Sequence, residues 1–315
     1  MRKVSLGVDI GSVSTKGVVL DISGKVLAQG YLWTEGQPVK AVKDLLLVLR
    51  DQLAEPVKVV GVGTTGSARK LIGTMLGANM VKNEITAHAV GTLSKYPNVR
   101  TILEIGGQDS KIILIRNGIV TDYGMNTLCA AGTGAFLAAQ AQRLGVSMEE
   151  MGGLALKAQS PAKIAARCAV FAESDMIHKA QAGYCKEDLI AGLCTAVVSN
   201  YLSNVGQGKE IAAPVVFQGG VSKNPGVVQA FSKMLGQDIF VDGNSHLAGA
   251  VGCAILAARP EVESDFSFEI IGMDFQTAGR ECGGCPNRCE VMLAYRDGVL
   301  LDAWGNRCPR GEDIA

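Results

Sequence analysis

The sequence predicts an α/β fold built from two related halves, followed by a small cysteine-rich module. Three observations support this prediction: an internal repeat, alternating strand and helix patterns along most of the chain, and a change of composition near residue 259. A chain of 315 residues is long enough for about two domains. We expect a first lobe over 1–95 to which a helix near 245–258 returns, a second lobe over 96–258, and a linker with the cysteine-rich module over 259–315.

The repeat aligns DIGSVSTKGVVL, residues 9–20, with EIGGQDSKIILI, residues 104–115, without a gap. Each copy predicts a β-hairpin, with Asp9 or Glu104 at the end of its first strand. A turn rich in Gly and Ser presents backbone N–H groups to phosphate, and a nearby carboxylate can hold hydrated Mg²⁺. Two such turns predict that the two lobes bind one nucleotide between them.

A cysteine precedes a glycine-rich segment in NTLCAAGTGAFLAAQAQRLG, residues 126–145. Asn126 and Thr127 are residue types that cap helices, and the Ala-rich run that follows predicts a helix with a glycine stop. Free N–H groups and the positive end of a helix dipole favour a thiolate at Cys129, the form that binds metal or acts as a nucleophile. Cys168 begins CAVFAESDMIHKA, a second stretch with helical periodicity.

Seven motifs occur in a characteristic order: DIGSVSTK, NEITAHAVG, EIGGQDSK, MNTLCAAGTGAFL, ARCAVFAESD, FQGGVSKNPG and HLAGAVGCAIL. Over residues 3–258 the chain resembles the superfamily of acetate and sugar kinases, heat-shock chaperone ATPases and actin. Within it, the chain is similar to BadF/BadG/BcrA/BcrD-type ATPases, which activate 2-hydroxyacyl-CoA dehydratases and benzoyl-CoA reductases. The resemblance implies a duplicated ribonuclease H-like fold with a nucleotide cleft. It also implies an activator that couples ATP binding and hydrolysis to low-potential one-electron transfer.

The resemblance assigns roles to residues position by position. It places Asp9 and Asp109 near Mg²⁺, and it gives Gln108 the task of positioning the hydrolytic water. The implied catalytic residues are Asp9, Glu104, Gln108 and Asp109. The implied contacts to ATP or ADP are Gly11, Ser12, Ser14, Thr15, Lys16, Gly106, Gly107, Lys111, Gly132, Thr133, Gly134, Gly219, Gly220 and Asn224.

The resemblance also implies that Cys129 and Cys168 bind one four-iron four-sulfur cluster shared across a homodimer. Such a cluster normally takes four thiolates, so two from each chain require a symmetric pair. Reduced ferredoxin or flavodoxin would supply the electron. The acceptor would be an iron–sulfur enzyme of the 2-hydroxyacyl-CoA dehydratase, benzoyl-CoA reductase or double-cubane-cluster type. We expect Cys185, Cys194 and Cys253 to be small buried apolar side chains.

The tail departs from this family pattern. ARPEVESDFSFE predicts a charged linker, and the spacing CxxCxxxC, eighteen residues, C then follows at Cys282, Cys285, Cys289 and Cys308. VMLAYRDGVLLDAW predicts a hairpin that turns at 296–298 and returns Cys308 to the other three. Four thiols at this spacing predict a metal, and both Zn²⁺ and an iron–sulfur cluster are chemically suitable.

A second glycine pattern, GVGTTG at 61–66, fits the dinucleotide fingerprint and has Glu84 about 20 residues further on. The duplicated phosphate hairpin that precedes it argues against a dinucleotide-binding domain. We therefore interpret GVGTTG as a strand-to-helix turn in the segment that connects the lobes. A Walker A motif is absent from the sequence.

Composition excludes some classes of protein. Thirty basic and thirty acidic residues give a formal net charge of zero, so charge favours neither nucleic acid nor an anionic membrane. No run approaches the roughly 18 apolar residues that a spanning helix needs, and we expect a cytoplasmic protein. Two alternatives remain open: a small-molecule kinase of the same fold, acting on a sugar or acid, and a nucleotide-dependent regulatory protein with structural zinc.

Overall fold

The computed structural model of the protein describes residues 1–126, 128–258 and 263–309. It divides into two compact units, one of residues 1–87 with 249–315 and one of residues 88–248. Within the described part of the chain, no helix is both long and apolar enough to pass through a membrane.

The strands are β1 (Arg2–Ile10), β2 (Ser14–Asp21), β3 (Val26–Trp33), β4 (Val57–Gly66), β5 (Met80–Val81), β6 (Thr101–Ile105), β7 (Ser110–Arg116), β8 (Ile119–Asn126), β9 (Val215–Gln218), β10 (Ile239–Phe240), β11 (Phe275–Glu281), β12 (Glu290–Arg296) and β13 (Val299–Trp304). The α-helices are α1 (Pro38–Asp51), α2 (Arg69–Leu76), α3 (Glu84–Leu93), α4 (Gly134–Leu144), α5 (Met148–Ala155), α6 (Ala169–Gln181), α7 (Lys186–Asn204), α8 (Pro225–Leu235) and α9 (Ala248–Ala257).

Each unit contains a five-stranded sheet, and the two sheets have the same strand order. The first is β3-β2-β1-β4-β5 and the second is β8-β7-β6-β9-β10. In both, the first three strands along the chain pair antiparallel and the fourth pairs parallel with the first. Asp9 pairs with Lys16 in one hairpin, and Glu104 pairs with Lys111 in the other. The sequence repeat is therefore a structural repeat, and the predicted duplicated α/β fold is confirmed.

The glycines of GVGTTG lie inside a strand. The motif forms the last six residues of β4, in the first unit's sheet, so the expectation of a strand-to-helix turn connecting the lobes is wrong. A Cβ at Gly61 would lie 1.9 Å from the carbonyl oxygen of Ala257, and a Cβ at Gly63 would lie 2.3 Å from that of Cys253. These glycines are needed because α9 packs directly on the strand.

The core of the second unit is built around α7. Ten of its nineteen residues are buried, against two of thirteen in α6. Tyr201 on α7 stacks edge-on against Phe231, which does the same against Phe217, with ring centroids 5.2 and 5.0 Å apart. This aromatic contact fixes α7 beneath the sheet that carries the second phosphate motif.

The tail is docked on the first unit. Glu263 forms ion pairs with Lys3 and Lys58, and Ile270 is buried in the core beside Phe266 and Phe268. The described part of the expected charged linker is therefore a packed segment, because its aromatic residues bury against the core; residues 259–262 of that linker lie outside the described residues.

Three antiparallel strands, in the order β11-β12-β13, follow this segment. The β12–β13 turn has Asp297 and Gly298 at φ values of 50° and 79°, as a two-residue hairpin requires. The predicted hairpin is confirmed, and β11 is an addition to it.

Candidate functional site

The first phosphate motif is the turn between β1 and β2. Gly11 N–H donates to the Ser14 carbonyl at 3.0 Å, which closes the turn. Asp9 is buried at the end of β1, with Oδ2 3.5 Å from Lys16 Nζ. Thr15 is fully buried and its hydroxyl is 2.9 Å from that of Thr34, which itself donates to the Gly11 carbonyl. The Thr15 side chain therefore supports the turn from below, whereas Ser12 on the turn is exposed.

The second motif repeats this arrangement between β6 and β7. Gly106 N–H donates to the Asp109 carbonyl at 3.0 Å. Lys111 Nζ lies 3.1 Å from Glu104 Oε2 and 2.8 Å from Asp109 Oδ1. Gln108 is exposed at the tip of the loop. The loop thus presents backbone amides and one exposed amide side chain, held in place by a buried acid–lysine pair.

Tyr201 supports the second motif from below, a role that the sequence did not predict. Its hydroxyl donates to the Lys111 carbonyl oxygen at 2.6 Å. Burial raises the pKa of the Tyr201 phenol well above its usual value, with the Glu104 charge adding to the effect. The phenol therefore stays protonated and remains a donor.

The segment after Cys129 is bonded to the second motif. Gly134 N–H donates to the Gly106 carbonyl at 2.9 Å, and Ala135 N–H donates to the Gly107 carbonyl at 2.8 Å. A Cβ at Gly134 would lie 2.9 Å from the Gly106 carbonyl oxygen, so glycine permits this approach. Thr133 is fully buried next to it.

The predicted adenosine motif lies at the end of β9. Gly219 has a φ of 83°, and a Cβ there would lie 2.2 Å from the Ile105 carbonyl oxygen. Gly220 begins a 3-10 turn (Gly220–Lys223). Asn224 caps α8, its Oδ1 accepting from Gly226 N–H and Val227 N–H at 2.9 and 3.2 Å. The Asn224 Nδ2 is buried and has no hydrogen-bond partner among the described residues.

Cys129 lies close to the residue that precedes Cys168 in the second unit. Cys129 precedes a 3-10 turn (Ala130–Gly132), and Cys168 is the residue before α6. The Cys129 Sγ is 4.0 Å from the carbonyl oxygen of Arg167. The Asn126 side chain brackets Cys129, accepting from its N–H at 3.0 Å and donating to its carbonyl at 2.8 Å. Asn126 therefore fixes the cysteine backbone; Thr127, the other expected cap, lies outside the described residues.

Asn200 reaches Cys129 from the C-terminal third of α7. Its Nδ2 donates to the Ala166 carbonyl at 2.6 Å and lies 3.7 Å from the Cys129 Sγ. Two half-buried thiols at helix starts, with an amide donor beside them, fit half of the four-thiolate set of a cubane cluster. The sequence held no signal for Asn200, which is 71 residues from Cys129.

Three large apolar side chains close in sequence to Cys129 and Cys168 are exposed. Leu128, Val170 and Phe171 have exposed fractions of 98%, 69% and 67%. Each is a direct neighbour in sequence of Cys129 or lies in the first turn of α6. Exposed large apolar side chains grouped in this way are typical of interaction surfaces.

The tail cysteines lie at one end of the three-stranded sheet. Cys282 is buried against Val291 and Leu293, Cys285 and Cys289 are half-buried in the β11–β12 connection, and Cys308 is exposed after β13. Throughout the described ranges, no three Cys, His, Asp or Glu side chains are grouped so as to hold a metal ion. The side chains as placed therefore do not form a metal site, and the tail metal stays a prediction.

The remaining cysteines divide. Cys194 and Cys253 are buried as expected, and burial raises the pKa of each thiol to about 12. Cys185 is exposed, so the expectation for it is wrong. It is the residue before α7, directly after the turn at Gly183 and Tyr184, where the chain lies on the surface.

The duplicated α/β fold with its paired hairpins defines a protein of the ribonuclease H-like class. The chain belongs to the BadF/BadG/BcrA/BcrD ATPase family, whose model matches residues 6–257. The tail sheet lies outside these matched residues.

Its relatives include activators of dehydratases. It is 32% identical over 262 residues to the (R)-2-hydroxyglutaryl-CoA dehydratase activating ATPase of Acidaminococcus fermentans, which covers 82% of this chain and 98% of that protein. It is 34% identical over 260 residues to the activator of lactoyl-CoA dehydratase of Anaerotignum propionicum, covering 80% and 96%. The solved activator of 2-hydroxyisocaproyl-CoA dehydratase from Clostridium difficile with bound ADPNP is 32% identical, with a TM-score of 0.74 over 81% of this chain and 94% of that chain.

Proposed function

We propose that this protein is an ATP-dependent reductive activator. In this function a homodimer couples ATP binding and hydrolysis to delivery of one low-potential electron to an acceptor iron–sulfur enzyme. The observation that carries the proposal is one short segment that connects the second predicted phosphate motif with Cys129. Gly134 and Ala135 donate to the carbonyls of Gly106 and Gly107, and Cys129, five residues before Gly134, contacts the Arg167 carbonyl next to Cys168.

ATP would bind with Mg²⁺ at the two predicted phosphate motifs; the solved relative with bound ADPNP supports nucleotide binding. Asp9 and Asp109 are the carboxylates that would hold the ion, each now within 3.5 Å of its motif lysine. Phosphoryl chemistry in such sites depends mainly on positioning and charge. The exposed amide of Gln108 would orient a water molecule, and the buried pair of Glu104 and Lys111 would keep the loop fixed.

Cys129 and Cys168 of each protomer would supply the four thiolates of a shared 4Fe-4S cluster. When bound, such a cluster supplies one-electron redox chemistry. The residues of this chain orient and stabilise the thiolates: Asn126 holds the Cys129 backbone, the Asn200 amide donates toward its sulfur, and α6 directs its positive end at Cys168. The exposed apolar side chains nearby supply surface for the second protomer to cover.

The acceptor is proposed to be a 2-hydroxyacyl-CoA dehydratase or a related enzyme such as a benzoyl-CoA reductase or a double-cubane-cluster protein. The dehydratase activators among the relatives support this class of acceptor. A reduced ferredoxin or flavodoxin as donor, a cytoplasmic location, and Zn²⁺ or a second iron–sulfur cluster in the tail stay predictions.

Iron, sulfide and zinc analysis of anaerobically purified protein tests the function. We expect about four irons per dimer with absorbance near 400 nm. Cys129→Ala and Cys168→Ala should each abolish this iron and keep ATP binding, whereas the control Cys185→Ala, at an exposed cysteine, should keep both.

Three results would count against the proposal. A monomer, iron that disappears only with Cys282→Ala, or ATP-dependent phosphorylation of a small molecule by Cys129→Ala protein would each contradict it. The last of these would favour the kinase alternative.

A further inference from the structure

The α6 helix that begins after Cys168 is weakly attached to its unit. Only Ala172 and Met176 of its thirteen residues are buried. Val170 and Phe171 on its first turn point to solvent. Within one protomer, elements with few buried contacts shift at low free-energy cost, so α6 is held to its own unit by few contacts.

A carboxylate on α6 ties the helix to α4. Glu173 Oε1 lies 2.8 Å from Arg143 Nη2, and Gln140 Nε2 lies 3.5 Å from Glu173 Oε2. Gln140 and Arg143 are three residues apart on α4 and therefore share one face. The other acid of α6, Asp175, accepts from Ala165 N–H in the segment just before the helix, and its side chain bonds no other element among the described residues.

The opposite end of α4 is fixed to the second phosphate motif. The N–H groups of Gly134 and Ala135, its first two residues, bond the carbonyls of Gly106 and Gly107. Eleven helical residues span about 16 Å. Because Phe136, Leu137 and Ala141 anchor it in the core, α4 acts as a rigid body between the phosphate loop and Glu173.

Packing alone does not explain a glutamine at position 140. Its side chain is almost fully buried, and its Oε1 has no hydrogen-bond partner among the described residues. A buried acceptor without a partner lowers stability, and an apolar side chain of similar volume would avoid that cost. Polar groups kept at a cost to stability are typical of functional positions. This observation is independent of the bonds at the other end of α4.

We propose that Glu173 is a positioning residue that transmits movement of the second phosphate loop, through α4, to the helix that starts at Cys168. When nucleotide phosphate shifts Gly106 and Gly107, the first turn of α4 follows through its two N–H bonds. Arg143 and Gln140 then carry Glu173 with them, and α6 changes position. The role of this link in moving Cys168 rests on the proposed function, whereas the mechanical link between the phosphate loop and α6 does not.

Amide hydrogen exchange of residues 169–181 in the full chain tests the link, with and without ADP or a non-hydrolysable ATP analogue. In the unmodified protein we expect nucleotide to change exchange of this segment by about threefold or more. Glu173→Gln should remove the nucleotide effect and raise exchange in both states, with the nucleotide Kd unchanged within about twofold. Arg143→Met, which breaks the link from the α4 side, should do the same.

Glu149→Gln is the matched control, because Glu149 is exposed on α5 and makes no side-chain bond with α4 or α6 among the described residues. It should behave as the unmodified protein. A nucleotide effect on α6 that survives in both Glu173→Gln and Arg143→Met would overturn the proposal, and so would its absence from the unmodified protein. Neither result depends on iron, so metal analysis still decides the proposed function separately.

Discussion

Glu104 and Lys111 form an ion pair in which the side-chain exposed fractions are only 6% and 2%. The Oε2 to Nζ distance is 3.1 Å, across the β6–β7 hairpin. The corresponding pair in the first hairpin, Asp9 and Lys16, is 3.5 Å apart, and its lysine side chain is 15% exposed. The two copies of the motif therefore differ in how completely the acid and the lysine are removed from water.

This difference predicts unequal effects of neutralising the acid. Glu104→Gln should lower the free energy of unfolding by about 2–3 kcal/mol, because it leaves a buried ammonium with Asp109 as its remaining carboxylate in the loop. Asp9→Asn should cost less, because Lys16 keeps more contact with solvent. Urea unfolding of both variants measures the comparison, and ATP hydrolysis should fall in each. Equal losses of stability would contradict the proposed difference between the hairpins.

The close packing of α9 on Gly61 and Gly63 of β4 predicts that a larger side chain there lowers stability. Gly63→Ala would place a Cβ 2.3 Å from the Cys253 carbonyl oxygen, so α9 must shift and stability should fall by about 2 kcal/mol or more. Gly153→Ala is the control: it lies within α5 with no atom near its Cβ position, and it should stabilise by about 0.5–1 kcal/mol. Thermal unfolding of both variants checks the opposite signs. A neutral Gly63→Ala would mean that α9 does not pack as described.

The cysteines predict a graded pattern of alkylation. Because burial raises the pKa of Cys194 and Cys253 to about 12, only about one thiol in ten thousand is ionised at pH 8. Iodoacetamide should therefore modify exposed Cys185 in the folded protein and leave these two unmodified until urea is added. Mass spectrometry of the peptides reads the result. Early modification of Cys194 would show that the second core opens under native conditions.

Glu263 predicts a pH-dependent contribution from the docked tail. Hydrogen bonding to Lys58, with a further contribution from Lys3, holds the pKa of this carboxyl below its ordinary value of 4.5. A lowered pKa in the folded state stabilises the fold above the unfolded-state value, and this stabilisation is lost as pH falls through the folded-state value.

Glu263→Gln should therefore lower Tm at pH 7 by about 2 °C, a small shift because the pair is exposed. The difference from the unmodified protein should shrink as pH falls below 4.5. Glu269→Gln, an exposed neighbour without an ion pair among the described residues, should show no such trend. A difference that persists at pH 2 would exclude the carboxylate as its source.

Local and repeated signals made much of the fold predictable. The paired hairpins followed from the gapless alignment of two segments, and the start of α6 after Cys168 and the end of α4 at Gly145 followed from local sequence signals. The expected caps Asn126 and Thr127 placed the start of α4 too early: a 3-10 turn intervenes and α4 begins at Gly134 after Thr133. The prediction that Cys129 and Cys168 act together came from family resemblance rather than from any pattern in the residues. The tail hairpin was predictable because Asp297 and Gly298 are typical of a two-residue turn.

Contacts between distant segments were not predictable. The role of Gly63 depends on α9, almost two hundred residues later, so its sequence motif pointed to the wrong structure. Asn200 and Tyr201 look like ordinary positions of a largely buried helix, and only tertiary packing brings them to Cys129 and to Lys111. Strand β11, with the sequence FQTAGRE, lacks the apolar alternation that signals a strand.

The docked segment before β11 limits where the chain can be shortened. Truncation after residue 257, where the family match ends, would expose the apolar core surface that Phe266, Phe268 and Ile270 cover. An exposed apolar surface of this kind promotes aggregation. Truncation just before Phe275 would remove the three-stranded sheet with its four cysteines and keep that core surface covered. The effect of losing the four thiols can then be measured separately from aggregation.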